Sequence, residues 1–436
     1  MTRLAPIALI ALSLTVDALV QTPASDWHEY IDQRAADLQQ QVIEWRRHFH
    51  AHPELSNREF DTASTVAEFL RSLDMEVTTD IAHTGVVGIL RGGRPGPVVG
   101  LRADMDALPV PSRVDLPFSP DVTSEYLGEE VPVSHACGHD AHMAMLMGVA
   151  RMLAERRDEL PGTIKFIFQP AEEGTPPGEQ GGAEMMVAEG VLTDPEVEVI
   201  FGQHIWAPAP AGQIGYRPAG TMAASDQFTI TVHGRQTHGS TPWTGVDPIT
   251  TAAQIVLGLN TVVSRQTELT RAAAVISVGR VRAGVRNNII PEEAELIGTI
   301  RTLDPDMQDK IHADIRRTAE HIAASQGAEV TVDIQRGYPV TYNDPELTEA
   351  MAPSLRRVAG EQAVQVDALT AAEDFSFFQR EIPGLYFFLG AAPDDIPLEE
   401  VAPHHTPDFR IHEAAMETGV RALATLALDY MLEHAN

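Results

Sequence analysis

The sequence predicts a two-domain α/β protein, in which a mixed sheet with helices on both faces is interrupted by a smaller α+β sandwich of ferredoxin type. Three observations predict it. The chain has 436 residues, beyond the length at which one hydrophobic core usually divides. Before residue 219, apolar strand-like runs alternate with amphipathic stretches, as in an α/β sheet. From there to residue 338 the order becomes strand, helix, two strands, helix, strand. The first domain then occupies residues 27–218 and resumes over 339–436, with 219–338 inserted into it.

Residues 1–22 carry Arg3, an apolar run from Leu4 to Val16, then small and polar residues, the layout of a secretory signal peptide with Ala18 as one cleavage point. A membrane anchor is the rival, but Asp17 interrupts a run already shorter than the ~20 residues of a span. A secreted or periplasmic location, with no stable membrane insertion after cleavage, is expected. From Trp27 to His50 apolar residues recur every three or four positions, which predicts an amphipathic helix ended by Pro53. A second helix is predicted near Phe60 to Ser72. The apolar run "TGVVGIL" follows, then a buried strand from Val98 to Leu101 that enters the acidic loop with Asp104 and Asp106.

A helix is predicted from His142 to Arg157. The strand in "GTIKFIFQPAEEG" ends at Pro170, and the strand in "VEVIFGQHIW" finishes at His204. In the insertion, "SDQFTITVH" alternates in polarity as a half-buried strand does. A helix from Pro248 to Ser264, the strands "AAAVISVGRVRAG" and "EAELIGTIRTL", a helix from Pro305 to Gln326 and the strand "AEVTVDIQ" complete it. A C-terminal helix, "EAAMETGVRALATLALDYMLE", closes the chain.

Charge narrows the functional classes. The chain has 31 Lys and Arg against 62 Asp and Glu, a formal charge of -31, which repels phosphate backbones and excludes nucleic acid as a natural partner. An anionic small substrate would need a local cationic clamp. Apolar residues make up 44%, enough for cores of ordinary density. Export would put the chain where disulfides form, yet its single cysteine, Cys137, has no internal partner.

Cys137 sits in "VSHACGHDAHM", and three readings of it compete: a buried small hydrophobe, a nucleophile activated by a neighbouring imidazole, or a metal ligand. Ser134, His135, His139 and Asp140 make the stretch too polar for a core strand. Polar clusters also follow other strands: Asp104 and Asp106, Glu172 and Glu173, and His204. Ligands of open α/β sheets bind at the carboxyl ends of strands, and a metal is the usual reason to gather such groups there. Glu172 and Glu173 are adjacent, so they can serve one centre only where the chain has left the strand, as Pro170 and Gly174 suggest. One could bind metal while the other takes a proton; two solvated glutamates in a turn is the alternative.

The segments "GLRADMDALP", "HACGHDAHMAMLMG", "FIFQPAEEG", "QTHGSTPWTGVDPI", "NNIIPEEAELIGTIR", "AAEDFSFF" and "HHTPDF" occur in this order. From Trp27 to the C-terminus, the chain resembles the hippurate hydrolase, aminoacylase and indoleacetyl-amino-acid hydrolase branch of the dinuclear-metal carboxypeptidase family. The resemblance implies a zinc-carboxypeptidase-like catalytic domain and an inserted lid that dimerises. It implies Cys137, His139, Glu173, His204 and His405 as metal ligands, with Cys137 bridging two ions. Glu172 takes the place of the general base. His238 resembles a histidine that reaches across a dimer to the scissile carbonyl, and Asn288 another lid contact to substrate. His405 rather than the adjacent His404 fits the family's H-x-P-x-F register. Asp104 and Asp106 are expected to orient ligating imidazoles. Arg286 and Arg301 are candidates for holding a substrate carboxylate. His135, His142 and "RRHFHAHPELS" match family letters, and the last is read as structural.

The expectation is a metal-dependent amidohydrolase that cleaves N-acyl amino acids to a carboxylic acid and a free amino acid, acting as a homodimer. It would hold two divalent ions, with zinc favoured by the thiolate and manganese, cobalt or nickel as alternatives. An exopeptidase of the same family is the nearest rival, separated by activity on benzoylglycine against glycyl dipeptides. A cysteine hydrolase would be spared by chelator. A periplasmic binding protein for acidic or acylated amino acids would bind without turnover.

Overall fold

The structure, a computed structural model, describes residues 24–435; the signal segment predicted for residues 1–22 lies outside them. The first helix, α1 (Ala24–Ala51), buries Trp27, Ile31, Ala35, Leu38, Val42 and Phe49, one stripe of its surface. Next come α2 (Phe60–Ser72), β1 (Glu76–Ile81), β2 (Gly85–Arg91) and β3 (Arg94–Asp104). A hairpin of β4 (Thr123–Tyr126) and β5 (Glu129–Pro132) precedes α3 (His139–Glu155), β6 (Pro161–Gln169), α4 (Gly182–Ala188), β7 (Val199–Trp206) and β8 (Ile214–Tyr216).

A connecting strand, β9 (Ala219–Met222), leads into β10 (Ala224–His233), β11 (Thr237–His238), α5 (Pro248–Thr261), β12 (Ala274–Ala283), β13 (Ile289–Ile290), β14 (Glu293–Thr302), α6 (Pro305–Ser325) and β15 (Glu329–Gln335). The chain returns through β16 (Thr341–Asn343), α7 (Pro345–Ala359), β17 (Ala363–Gln365), α8 (Ser376–Glu381), β18 (Gly384–Gly390) and α9 (Ala415–His434). Aspartates start three of these helices: Asp247, Asp304 and Asp344 accept backbone amides at α5, α6 and α7, each followed by proline.

Eight strands in the order β1-β2-β6-β3-β7-β18-β8-β17 form one mixed sheet. Its centre is parallel, since β3 pairs in parallel with β6 and β7, and β7 with β18. Side chains alternate between its faces. Phe166, Phe168, Leu101 and Phe201 pack in a core with α1, α3 and α9, while Ile167, Ile200 and Tyr386 pack on the other side with Met186 of α4 and Phe378 of α8. Among the described residues, no helix is long and apolar enough to cross a membrane.

The second sheet, β12-β14-β10-β15, is antiparallel throughout and has its own core of Phe228, Ile230, Leu296, Ile300, Ile255, Ile311 and Ile315 under α5 and α6. Its two connections to the larger layer, β9 and β16, pair with each other.

At two boundaries near the edge of the sheet, residues read as loop belong to regular structure. Helix α3 starts at His139 rather than His142, because His139, Asp140 and His142 are all buried in its first turn. Strand β7 runs past His204 to Trp206, where its pairing with β18 continues through Trp206 and Gly390. The β4–β5 hairpin was not expected.

Beneath the carboxyl ends of β3 and β6, Arg102 is fully buried and binds Asp104 at 2.7 Å, Glu373 at 2.9 Å and Asp374 at 2.9 Å. Its Nε also donates to Gln169 Oε1 of β6. One guanidinium therefore joins two strands to the turn before α8. Arg102→Leu would leave three carboxylates uncompensated in the interior. A loss of about 3–5 kcal/mol is expected, read from the urea unfolding midpoint at constant metal content.

Candidate metal centre

Parallel strands β3, β6 and β7 end at the same edge of the sheet, where ligands of such sheets collect. Cys137 lies there, one turn before the body of α3. The link between them, Gly138, has φ 106, and an added Cβ would come within 3.1 Å of the Ile205 side chain, so glycine alone suits the turn. The N-terminal end of α3 adds positive potential beside the sulphur.

Cys137 Sγ is 3.4 Å from His204 Nε2 and 3.3 Å from His405 Nε2. The proton on each imidazole follows from its other contact. His204 Nδ1 lies 2.6 Å from the Ile205 carbonyl and must donate to it, which leaves Nε2 bare toward the sulphur. His139 Nδ1 lies 3.3 Å from Asp106 Oδ1, leaving its Nε2 to face Glu173 Oε1 at 3.8 Å. Burial keeps His204 well below the usual histidine range, aided by His142 and His404. For His139 burial is outweighed by Asp104 and Asp106, and its pKa rises to about 10.

Two further histidines make hydrogen bonds with the backbone at this edge. His142 Nε2 accepts the Ile205 amide at 2.8 Å and Nδ1 donates to Asp104 at 2.6 Å, so both nitrogens are committed. His404 Nε2 accepts the Ala207 amide at 3.2 Å and Nδ1 reaches the Cys137 carbonyl at 3.1 Å. His404 Nδ1 is also 3.7 Å from Cys137 Sγ, whereas His405 Nε2 comes closer to the sulphur and reaches Glu173 as well. Asp104 therefore differs from expectation: its close partner is His142, which props the backbone beside His204, and His139 is 3.8 Å away.

The acidic pair faces one centre because the chain has left β6. Ala171 has φ 53 and Gly174 φ 102, and Asp106 pins the turn between them. Its two oxygens accept the Glu172 amide at 3.1 Å and the Glu173 amide at 3.0 Å, and Ser56 donates a third bond at 2.7 Å. Glu173 Oε1 reaches His405 Nε2 at 3.2 Å. Glu172 Oε2 is 3.7 Å from His139 Nε2, with Glu373 and Asp374 on its far side. Burial raises the Glu172 pKa well above the carboxylate range, and Glu373, Glu173 and Asp374 add to it.

Five groups of three donors have ligand atoms within 4.8 Å of one another among the described residues, and two of them share Cys137: Cys137–His139–His204 and Cys137–Glu173–His405. These two fit divalent cations on three grounds. Neighbouring donors 3.3–3.4 Å apart match the edges of a tetrahedron with metal bonds of about 2.0–2.3 Å. His139 Nε2 and Glu173 Oε1 are buried without a hydrogen bond, and a cation would satisfy both. Burial pushes the Cys137 thiol far up, reinforced by Glu173 and Glu172, and only positive charge at the sulphur reverses that.

The other sequence candidates lie apart from this cluster. His238 and Asn288 belong to the exposed ribbon in which β11 pairs with β13; the side chain of His238 bonds Ser240, and the Asn288 carbonyl accepts the Gly239 amide. Arg286 is exposed and Arg301 half-buried on β14, and neither has an ion-pair partner among the described residues. The segment read as structural has partners that the sequence did not name. Arg46 of α1 donates to Asp140 at 2.8 Å and to Glu413 at 3.0 Å, and His50 adds a 2.8 Å contact to Asp140. The "RRHFH" segment therefore clamps the helix start bearing His139 to the stretch that follows His405. Pairwise spacing along the chain carries no sign of it.

Protein loaded with zinc and dialysed is expected to retain two ions per chain by elemental analysis. Glu173→Ala, which removes one triad's carboxylate, should retain one, and Cys137→Ala should retain fewer than Glu173→Ala because its sulphur serves both triads.

The sequence profile of peptidase family M20/M25/M40 matches residues 100–429. Thermostable carboxypeptidase 2 of Saccharolobus solfataricus is 38% identical over 407 residues, covering 93% of this chain and 99% of that protein. The N-acetylcysteine deacetylase of Bacillus subtilis is 36% identical over 389 residues, 89% of this chain and 96% of its own. The crystal structure of the Bacillus subtilis YxeP protein, a dinuclear metal binding peptidase from the M20 family, superposes with a TM-score of 0.75 at 33% identity, covering 91% of this chain and 99% of that one. The chain thus belongs to peptidase family M20/M25/M40 and is a metal-dependent hydrolase of amide bonds that uses two divalent ions.

Proposed function

We propose that the protein hydrolyses N-acyl amino acids to a carboxylic acid and a free amino acid, with zinc as its resident ion and manganese, cobalt or nickel as substitutes. The observation that carries this reading is the place of Glu172, buried beside the two triads that share Cys137, with its Oε2 3.7 Å from His139 Nε2, where a carboxylate can handle a proton. Cys137 and three imidazoles form a soft donor set, which favours zinc over magnesium. Two bound cations would polarise the amide carbonyl and acidify a water molecule.

The chain's own groups supply the rest. A Glu172 carboxylate oxygen takes a proton from the attacking water and hands it to the departing nitrogen as the C–N bond breaks. The water oxygen joins the acyl carbon, and the products are acid and amine. Tyr338 steadies this residue by donating to the Glu172 carbonyl at 2.7 Å. Arg286 and Arg301, uncommitted to other ion pairs, would receive the amino acid's carboxylate. His238 would reach the scissile carbonyl from a second copy of the chain, and Asn288 would make a further contact to substrate. A homodimer through the smaller layer is supported by its edge strand β12, where Val275 is 39% and Val281 58% exposed.

Purified protein of known metal content should hydrolyse benzoylglycine and N-acetyl amino acids faster than glycyl dipeptides. The reverse order would favour the exopeptidase reading, which the carboxypeptidase relative keeps in view. Glu172→Gln should keep both ions while turnover falls by about 10²–10⁴-fold; loss of the ions instead would reassign the residue as a ligand. His238→Ala should lower kcat with metal content unchanged, and mixing it with Glu172→Gln should restore activity if the histidine acts across the dimer. Mixed samples no more active than the separate variants would place His238 outside the partner's site.

A further inference from the structure

A cleft of about 500 Å³ opens beside the metal centre, with the ligand Glu173 in its wall. It lies within the roughly 300–1,000 Å³ range of small-molecule sites. Its floor is Leu55 and Ala107, part of a small apolar cluster with Val133 that is separate from the main cores. Leu108 and Pro109, just past the pinning Asp106, form one side, and Tyr126 and Leu127 of the β4–β5 hairpin form the other. Leu127 is 69% exposed at the hairpin turn, a large apolar side chain held over the opening.

The charges in this lining select which half of a substrate can enter. Glu125 and Glu173 are acidic. Arg58 is already bound to Glu179 through two nitrogens, at 2.6 Å and 3.1 Å. With Glu173 committed to the ion, a substrate carboxylate would therefore meet the negative Glu125 and a cation engaged elsewhere. The other half of an N-acyl amino acid carries no charge and is joined directly to the carbonyl that must lie at the triads. Its carbon chain matches the carbon walls, whereas an acetyl group would leave most of the cleft to water.

We infer that this cleft binds the acyl group and that the enzyme prefers extended apolar acyl chains to acetyl. The inference rests on the proposed N-acyl amino acid hydrolysis and adds the half of the substrate that sets specificity.

The test compares kcat/KM for N-acetyl- and N-hexanoyl-leucine on the metal-loaded full chain. Wild-type protein should favour hexanoyl by at least about tenfold. Leu108→Trp, which fills the cleft, should lower that ratio at least about fivefold, and the exposed Leu127→Asp should lower it in the same direction without disturbing the core. Equal rates on the two substrates, or an unchanged ratio in both variants, would overturn the inference. So would variants that shift preference among amino-acid side chains instead of acyl lengths. Failure of the underlying reading looks different: no N-acyl amino acid of any length would be cleaved, and the inference would fall with it.

Discussion

Bare lone pairs aimed at one sulphur are the constraint on which this architecture depends. His204 keeps its proton on the side facing the Ile205 carbonyl, so its other nitrogen confronts Cys137 with nothing between them. His405 approaches the same atom from another segment. Such groups repel unless positive charge lies among them, and the surrounding structure exists largely to hold them there. Asp106 and Asp104 fix the direction of His139 and of the β7 backbone, and backbone amides take up the nitrogens of His142 and His404.

The cost of crowding carboxylates is met by distribution. Asp104, Glu373 and Asp374 share Arg102, whose guanidinium also lies over the rings of Phe375 and Tyr386. Asp106 is satisfied by a hydroxyl and two amides without a permanent cation. Glu172 has neither an arginine nor a comparable set of donors on its carboxylate, and it is the group asked to exchange a proton. A buried base among neighbours of like charge has the environment that acid–base chemistry near neutral pH requires.

Much of this was legible in the sequence because the ligand-bearing segments are continuous motifs at strand ends. The alternation of apolar runs gave the α/β layer, and the polarity change after residue 219 marked the antiparallel one. Partner choice was harder to read. Whether Asp104 serves His139 or His142, and whether His404 or His405 faces the sulphur, depends on backbone amides supplied by β7 at Ile205 and Ala207. The Arg46 clamp joins residues 94 and 367 positions apart, far beyond any local pattern. The β4–β5 hairpin escaped because its strands are exposed or half-exposed and lack an apolar stripe.

The pairing of β9 with β16 has an architectural consequence. Both strands are tied to the larger layer, β9 through Met222 and Leu369 and β16 through the bond from Asn343 to the Tyr386 carbonyl. The chain thus leaves and re-enters through two neighbouring doorposts. The intervening hundred-odd residues, from Ala223 to Val340, behave as a cassette whose ends already touch. Such a cassette could be lengthened, traded or trimmed over evolutionary time while the ion-binding layer kept its own closed frame.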